Sequence, residues 1–250
     1  MFGFLHKRTQ KIVSVGKSDV GLKRSHNEDD FMVRPELGLC ILADGMGGAA
    51  AGELASRIFV EHSVEVFSNT GGQSEKDAAD LVLRAFQYAN DGILSHVNEN
   101  PHHKGMGCTA ELMAFYNEGF ILGHVGDSRT YRLRKGQLKQ LTRDHSLVQD
   151  QIDKGLITLE EAKNHSLRNI ILRAVGIEEN ISVDFVQGKT LLHDIFLLCS
   201  DGLTDMVDDM VIQDALSSDT TLSHKAENLI ELAKSAGGYD NITVILSEVT

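Results

Sequence analysis

Four short clusters in this chain place an aspartate beside a glycine at one end of an apolar run. They are Asp44-Gly45, Gly126-Asp127, Asp201-Gly202 and Gly238-Tyr239-Asp240. The runs before the first three, at 39–43, 120–125 and 195–199, have the length and composition of buried strands. Carboxylates at strand ends can meet at one rim of a sheet and supply the oxygen ligands that Mg2+ and Mn2+ require. Together the clusters predict a metal site, although a single Asp-Gly pair is more often a turn.

The composition bounds the class of protein. The 250 residues suffice for one large core, and no Pro-rich, Gly/Ser-rich or single-charge run and no internal repeat divides them, so we expect one domain. The formal net charge of −12 argues against a nucleic-acid partner, because phosphate backbones are bound by clustered Lys and Arg. The chain has no stretch apolar enough for a membrane span or a signal peptide, so we expect no membrane partner and a cytoplasmic location.

The cysteines and histidines show no zinc-site spacing. Cys40, Cys108 and Cys199 lie in apolar strand-like runs without CxxC spacing, and we expect buried free thiols. His102-His103 lies between Pro101 and Gly105, where an exposed loop is the better interpretation than a metal site. No HExxH pattern is present, which excludes a zinc protease of that type.

Apolar periodicity predicts the order of helices and strands. Helical stripes begin at Leu54 and run from Ala78 to Val97. Strands and hairpins follow at 108–116, 120–125, 130–133 and 137–141, with turns at 117–119 and 135–136. From 146 to 176 the pattern is short and helical, and 158–161 fits a capping box. We expect further strands at 181–186, 191–199 and 242–246 and a helix over 222–233, which favours two packed antiparallel sheets flanked by helices.

Seven motifs, in this order, resemble those of the PP2C-type (PPM) metal-dependent Ser/Thr protein phosphatases. They are GLKRSHNEDDF (21–31), ADGMGG (43–48), GCT (107–109), GDSRTY (126–131), TRDHS (142–146), CSDGL (199–203) and DNITV (240–244). The likeness runs from residue 14 to residue 249. The Met46 form of the second motif and the compact length resemble the bacterial branch of the family, whose members often oppose Ser/Thr kinases. The resemblance implies an α+β fold, a four-layer α-β-β-α sandwich, with an N-terminal tail at 1–13, a phosphatase domain at 14–250 and a mobile flap insertion at about 146–180.

The resemblance also implies the metal ligands. Asp44 would bridge two tightly bound Mn2+ or Mg2+ ions, Asp201 and Asp240 would complete the coordination of the first, and the Gly45 carbonyl would bind the second. Asp127, together with Asp201, would hold a third and weaker ion. Two ions roughly 3.5 to 4 Å apart can share a bridging water, lower its pKa and offset the charge of a phosphomonoester.

Other residues would act on the substrate or through water. Arg24, whose planar donor fork fits two phosphate oxygens, would bind the substrate phosphate, and Glu28 and Asp29 would act through metal-bound waters. Many eukaryotic relatives have a histidine, usually assigned as the general acid, where this chain has Met46. Methionine cannot donate a proton, so the source of the proton for the leaving group is left open, with a water on the third ion as one candidate.

The predicted function is a protein-serine/threonine phosphatase, a phosphoric monoester hydrolase of bacterial signal transduction. Its expected partners are phosphorylated proteins and a cognate Ser/Thr protein kinase, and we expect a monomer. Of these residues, Arg24, Asp44 and Asp127 are the catalytic candidates. The alternative is a catalytically silent phosphoprotein-binding module on the same fold, which would be expected to lack one or more of the metal aspartates, all of which are present.

Two serine-hydrolase patterns are weaker. Ser128 is followed by a strand-like alternation at 129–133, whereas a nucleophile elbow leads into a helix. Asp144-His145-Ser146 contains the three residue types of a triad, but adjacent residues cannot form one in space. Capping of the next helix by Asp144 or Ser146 is the better interpretation.

Overall fold

The computed structural model describes residues 11–68, 75–117 and 119–250, and only the backbone of Ala49 and Ala50. The strands are β1 Ile12–Asp19, β2 Asp29–Arg34, β3 Leu39–Met46, β4 Gly107–Cys108, β5 Ala110–Tyr116, β6 Gly119–Val125, β7 Arg129–Arg134, β8 Gln137–Gln140, β9 Asp184–Lys189, β10 Ile195–Cys199 and β11 Ile242–Val249. The helices are α1 Ala49–Ser68, α2 Glu75–Glu99, α3 Leu147–Asp153, α4 Leu159–Lys163, α5 Asp201–Thr204, α6 Asp209–Ser217 and α7 Leu222–Ser235. Most of the expected tail and Glu118 of the expected turn lie outside the described residues.

Two antiparallel sheets form the centre of the fold. One has the strand order β1-β11-β10-β7-β8, and the other has the order β2-β3-β5-β6-β9 with β4 paired to β3. Helices α1 and α2 cover the outer face of the second sheet, and α6 and α7 cover the outer face of the first. The predicted α-β-β-α sandwich is confirmed.

Alternation along β3 shows why two faces are buried. Leu39 and Ile41 point to α1 and α2, whereas Cys40 and Leu42 point to the other sheet, because successive side chains of a strand face opposite sides. The layer between the sheets includes Phe196, whose ring centroid lies 4.8 Å from that of Phe120 in an edge-to-face contact. Strands that are buried on both faces read as continuous apolar runs, as the sequence did at 39–43 and 195–199.

Helix α2 follows the predicted stripe. Its buried side chains include Leu81, Val82 and Phe86. A Cβ on Gly123 of β6 would lie 2.6 Å from both Val82 and Phe86, so glycine at this position lets the helix approach the sheet.

Several predicted boundaries were wrong. The strand expected at 108–116 is broken at Thr109, and β9 lies three residues later than the 181–186 prediction. The strand expected from Leu191 begins at Ile195, because Asp194 N–H donates to the Leu191 carbonyl at 3.0 Å and closes a turn. Strand β1 begins at Ile12, inside the stretch expected to be a tail.

Other local predictions are confirmed. The Thr158 hydroxyl accepts from Glu161 N–H, and the Glu161 carboxylate accepts from Thr158 N–H, which completes the capping box of α4. Ser146, and not Asp144, caps α3. The three cysteines are buried free thiols, and His102 is exposed in a short 3-10 turn. Among the described helices, none is both long and apolar enough to cross a bilayer.

Candidate metal centre

The strand ends bring five carboxylates to one edge of the two sheets. Asp44 lies near the end of β3 and is paired across the sheet with Asp29, the first residue of β2. Asp127 follows β6, Asp201 opens α5 directly after β10, and Asp240 precedes β11. We call Asp29, Asp44, Asp127, Asp201 and Asp240 the carboxylate rim. Neighbouring antiparallel strands start and end at the same edge, which is why distant positions in the sequence meet here.

Asn241 holds the loop before β2 against this edge. Its Oδ1 accepts from the Glu28 N–H at 2.8 Å, and its Nδ2 donates to the Val20 and His26 carbonyls at 3.0 and 2.9 Å. A Cβ on Gly202 would lie 1.9 Å from the Asn241 carbonyl oxygen. The glycine after Asp201 is therefore needed for this close approach.

Gly45 and Gly52 bring the start of α1 close to Glu28. The Gly45 N–H donates to the Glu28 carbonyl at 3.1 Å, and a Cβ on Gly45 would lie 2.1 Å from the Gly52 carbonyl oxygen. A Cβ on Gly52 would lie 1.9 Å from Glu28 Oε2. Gly47 and Gly48 have φ of 124° and 87°, and they allow the turn from β3 into α1.

The rim concentrates negative charge. Burial is the main cause that raises the pKa of Asp44 and Asp201 well above their usual range, followed by repulsion from neighbouring aspartates. Both are only half-buried by surface area, as expected for groups at the bottom of a cleft. Burial raises the pKa of Asp29 to about 6, against the opposing effect of hydrogen bonds from Thr243 and Ser200. Burial, followed by repulsion from Asp144, raises the pKa of Asp127 to about 7.

Three buried oxygens of the rim lack hydrogen-bond partners among the described residues. They are Oδ1 of Asp29, Asp127 and Asp201. An unpaired buried carboxylate oxygen is costly, and bound cations would satisfy these oxygens directly or through their waters. No ready-made group of three His, Cys, Asp or Glu ligands occurs in the described chain, but Mg2+ usually keeps several waters and needs only one or two carboxylates. The donor set therefore fits hard divalent cations.

Arg24 lies at the mouth of the rim. Its Nη2 donates to Asp240 Oδ2 at 2.7 Å, and about half of its side chain is exposed (48%). Together with Arg168, Asn169 and Tyr239 it lines a cleft of about 190 Å³ above Asp201 and Asp240. A larger cavity of about 450 Å³ lies at the other end of the sheets, beside Pro35 and Phe115, and it contains none of the predicted site residues.

Asp205 was not predicted from the sequence. It lies one helical turn after Asp201, and its carboxylate raises the pKa of both Asp127 and Asp201. Arg168, in the segment expected to be the flap, forms an ion pair with it at 3.3 Å. The i, i+4 spacing of two aspartates was the available signal, because such residues share one helix face.

Met46 ends β3 and pairs across the sheet with Gly107.

A four-layer sandwich with this carboxylate rim and an arginine beside it defines a metal-dependent phosphoric ester hydrolase. The Protein phosphatase 2C family profile matches residues 22–235. A serine/threonine phosphatase from Listeria welshimeri is 39% identical over 236 residues, which is 93% of this chain and 94% of that protein. The chain belongs to the Protein phosphatase 2C family, and it is a metal-dependent protein serine/threonine phosphatase.

Solved structures agree with this assignment. The S. agalactiae serine/threonine phosphatase superposes with a TM-score of 0.90 at 35% identity, covering 96% of this chain and 100% of that one. The catalytic domain of the phosphatase PstP, solved in complex with two manganese ions, superposes with a TM-score of 0.89 at 36% identity, covering 97% and 100%. The predicted family, fold and enzyme class are confirmed.

Proposed function

We propose that Asp44, Asp201, Asp240 and the Gly45 carbonyl hold the two tightly bound Mn2+ or Mg2+ ions of this phosphatase. The observation that carries the proposal is the meeting of these carboxylates on one rim, where burial and repulsion from neighbours that include Asp201 and Asp240 raise the pKa of Asp44. Oδ1 of Asp201 is also buried without a partner among the described residues. When bound, the ions supply an activated water and offset the negative charge of the phosphoryl oxygens. Glu28 and Asp29 lie beside the ligands and orient water. Asp29 is itself fixed, because its Oδ2 accepts from Thr243 Oγ1 and Ser200 Oγ at 2.6 and 2.8 Å.

Arg24 binds the substrate phosphate in this proposal. Its present partner, Asp240, is a rim ligand, and the pair is half-exposed, so an incoming phosphate dianion can compete for the guanidinium. The planar fork can donate to two phosphate oxygens at once. Arg24 therefore serves as the exchangeable cation of the site.

A third, weaker ion is proposed at Asp127, Asp201 and Asp205, which we call the weak-ion site. Two observations support this ion. The negative charges of Asp127 and Asp205 raise the pKa of Asp201, and that of Asp205 raises the pKa of Asp127. Oδ1 of Asp127 is also buried without a partner among the described residues. Asp201 is shared with the tight pair, so the third ion has few protein ligands of its own and is held weakly. Met46 cannot donate a proton to the leaving group. We therefore propose that protonation of the leaving group depends on the weak-ion site.

The test is Asp127→Ala assayed on two substrates. We expect turnover of a phosphoserine peptide, which has a poor leaving group, to fall about a hundredfold, and turnover of an aryl phosphate to fall much less. Calorimetry with Mn2+ should still show two tight ions. Asp219→Ala, an exposed aspartate away from the rim, is the matched control. Equal losses on both substrates would refute the leaving-group role, and loss of the tight ions would place Asp127 in the main site.

The biological role is proposed from the sequence. We infer a domain from about residue 12, where β1 begins, to residue 250, which acts as a cytoplasmic monomer on proteins phosphorylated by a bacterial Ser/Thr kinase. The cleft beside Arg24 is open to solvent along Tyr239 and Arg168, which suits entry of a protein segment. Phosphoproteomics after deletion of the phosphatase should show accumulated phosphoserine and phosphothreonine, and light scattering should give the mass of one chain.

A further inference from the structure

His145 bonds to the turn that carries Asp127 in two ways. Its backbone N–H donates to the Gly126 carbonyl at 2.7 Å, and its ring Nδ1 accepts from the Gly126 N–H at 3.1 Å. A peptide N–H can only donate, so Nδ1 must be unprotonated and the ring must be the neutral Nε2–H tautomer. One residue therefore bonds both the N–H and the carbonyl of Gly126, which precedes Asp127.

The opposite edge of the ring faces the end of the flap. Nε2 lies 3.2 Å from both Asp184 Oδ2 and Arg173 Nη1, and Arg173 Nη1 donates to Asp184 Oδ1 at 3.0 Å. Because Nε2 carries the proton in this tautomer, its hydrogen-bond acceptor is Asp184, and the guanidinium pairs with Asp184 rather than with the ring. The His145 carbonyl accepts from the Leu172 N–H at 2.7 Å. His145 thus connects the Asp127 turn to Arg173 and Asp184 through its ring and to Leu172 through its carbonyl.

The ring has little freedom to move. It packs 4.6 Å, centroid to centroid, from the ring of His124, which is fully buried and bonded to Glu111 and to the Arg143 carbonyl. Gly126 has φ of 113°, and a Cβ there would lie 2.5 Å from Thr109 Cβ. The turn at Gly126 therefore packs closely against Thr109 and is hydrogen-bonded to His145.

We propose that His145, through its Nδ1 acceptor, is a positioning residue that holds the Asp127 carboxylate in the weak-ion site. The inference rests on the proposed function, because it requires an ion at Asp127. The bond from the Gly126 N–H requires the Nε2–H tautomer, and that tautomer can donate to Asp184. Loss of the ring bond leaves the Gly126 N–H unpaired and only the backbone bond to the Gly126 carbonyl, whereas loss of the Asp184 contact leaves both bonds to Gly126 in place.

Two amide variants separate the two edges of the ring. In His145→Asn, the amide oxygen takes about the place of Nδ1 and keeps an acceptor for Gly126. In His145→Gln, the amide nitrogen takes about the place of Nε2 and keeps only the donor to Asp184. We expect His145→Gln to weaken Mn2+ binding at the weak-ion site by about tenfold, as loss of an outer-shell partner does, while His145→Asn stays within about twofold.

Calorimetric titration of the substrate-free enzyme with Mn2+ measures these affinities, and thermal unfolding of each variant checks the fold. His145→Gln should also lose more turnover on phosphoserine peptide than on aryl phosphate, in parallel with Asp127→Ala. A folded His145→Asn with a tenfold weaker third ion would overturn the inference even if the glutamine variant does not fold. Equal destabilisation of both variants with unchanged ion affinity would reduce His145 to a structural role.

Asp127→Ala in the same titration distinguishes the two proposals. If that variant leaves weak-ion binding unchanged, the proposed third ion fails. If it abolishes weak-ion binding while both His145 variants bind as the wild type does, only the positioning role fails.

Discussion

Two groups of buried polar side chains lie near one another in this fold, and they differ in how their atoms are paired. The inner cluster consists of Glu111, His124 and Thr130, which lie on β5, β6 and β7 and are at most 1% exposed. Glu111 pairs with His124 Nδ1 and accepts from Thr130 Oγ1 at 2.5 Å. His124 Nε2 donates to the Arg143 carbonyl at 2.9 Å. The carboxylate rim instead has three unpaired Oδ1 atoms.

A raised pKa does not separate the two groups. Burial raises the pKa of Glu111 as it does those of the rim aspartates. The pKa of His124 is raised as well, because its pairing with Glu111 outweighs the opposing effect of burial. Internal partners compensate the charge in the inner cluster, whereas the rim requires a cation. Among the described residues, unpaired buried carboxylate oxygens occur only on the rim, and they, rather than a perturbed pKa, mark the proposed metal site.

The largest expected effect is that of Asp44→Asn. Phosphatase activity should fall on the order of a thousandfold, because the ions provide several kcal/mol of charge stabilisation. The metal-free protein should instead gain about 1 kcal/mol in unfolding free energy, since one of several repelling carboxylates becomes neutral. Activity with Mn2+ and urea unfolding in chelator measure the two effects. If the metal-free variant were less stable than the metal-free wild type, the carboxylates of the rim would not repel one another as we infer.

The matched change in the inner cluster is Glu111→Gln. It should lower the free energy of unfolding by about 3 kcal/mol, because it removes the charge partner of a buried imidazole. Added Mn2+ should not restore this loss. Urea unfolding with and without Mn2+ tests the prediction, with the exposed Glu99→Gln as control. A loss below about 0.5 kcal/mol, the range of ordinary surface changes, would show that the pair contributes little.

The sequence predicted the rim and not the inner cluster for a physical reason. Asp44, Asp127 and Asp201 follow recognisable apolar runs, and turn residues mark the strand ends. Glu111 and His124 lie inside such runs, and they meet only through the β5–β6 register, which pairs them directly.

Asp205 was missed because an exposed helix aspartate looks like any surface charge. Strands β1 and β2 were missed because edge strands with polar residues have weak alternation, and the 191–194 turn was hidden by exposed Leu191 and Leu192.

His145, which packs against His124 of the inner cluster and bonds to Gly126 beside Asp127, provides a pH test. Burial, followed by the charge of His124, lowers its pKa to about 4, against the effect of Asp184 and with that of Arg173. An unfolded histidine titrates near 6.5. Between about pH 4 and 6.5 the unfolded chain therefore binds a proton that the native chain does not, and stability falls as pH falls through this window. The loss is at most about 3 kcal/mol.

The difference between wild type and His145→Asn isolates this contribution from that of the carboxylates. Urea unfolding of both proteins at several pH values should show a steeper decline below pH 6.5 for the wild type. Parallel curves would mean that His145 protonates as readily in the native protein as in the unfolded chain, contrary to its role as an obligate acceptor.

The smallest expected effect is that of Arg24→Ala. Arg24 is the positively charged partner of the rim, as His124 is of the inner cluster. His124 is buried and fixed, whereas Arg24 is half-exposed and bonded to Asp240. If Arg24 transfers to the substrate phosphate, Arg24→Ala should raise KM for a phosphopeptide by about tenfold, as expected for a lost bond worth about 1.4 kcal/mol, with a smaller change in kcat. Lys23→Ala is the control, because Lys23 stacks 5.9 Å from the centre of the Tyr239 ring and is not bonded to the rim. An unchanged KM in Arg24→Ala would make the arginine a permanent partner of Asp240, as fixed in its role as His124 is in the inner cluster.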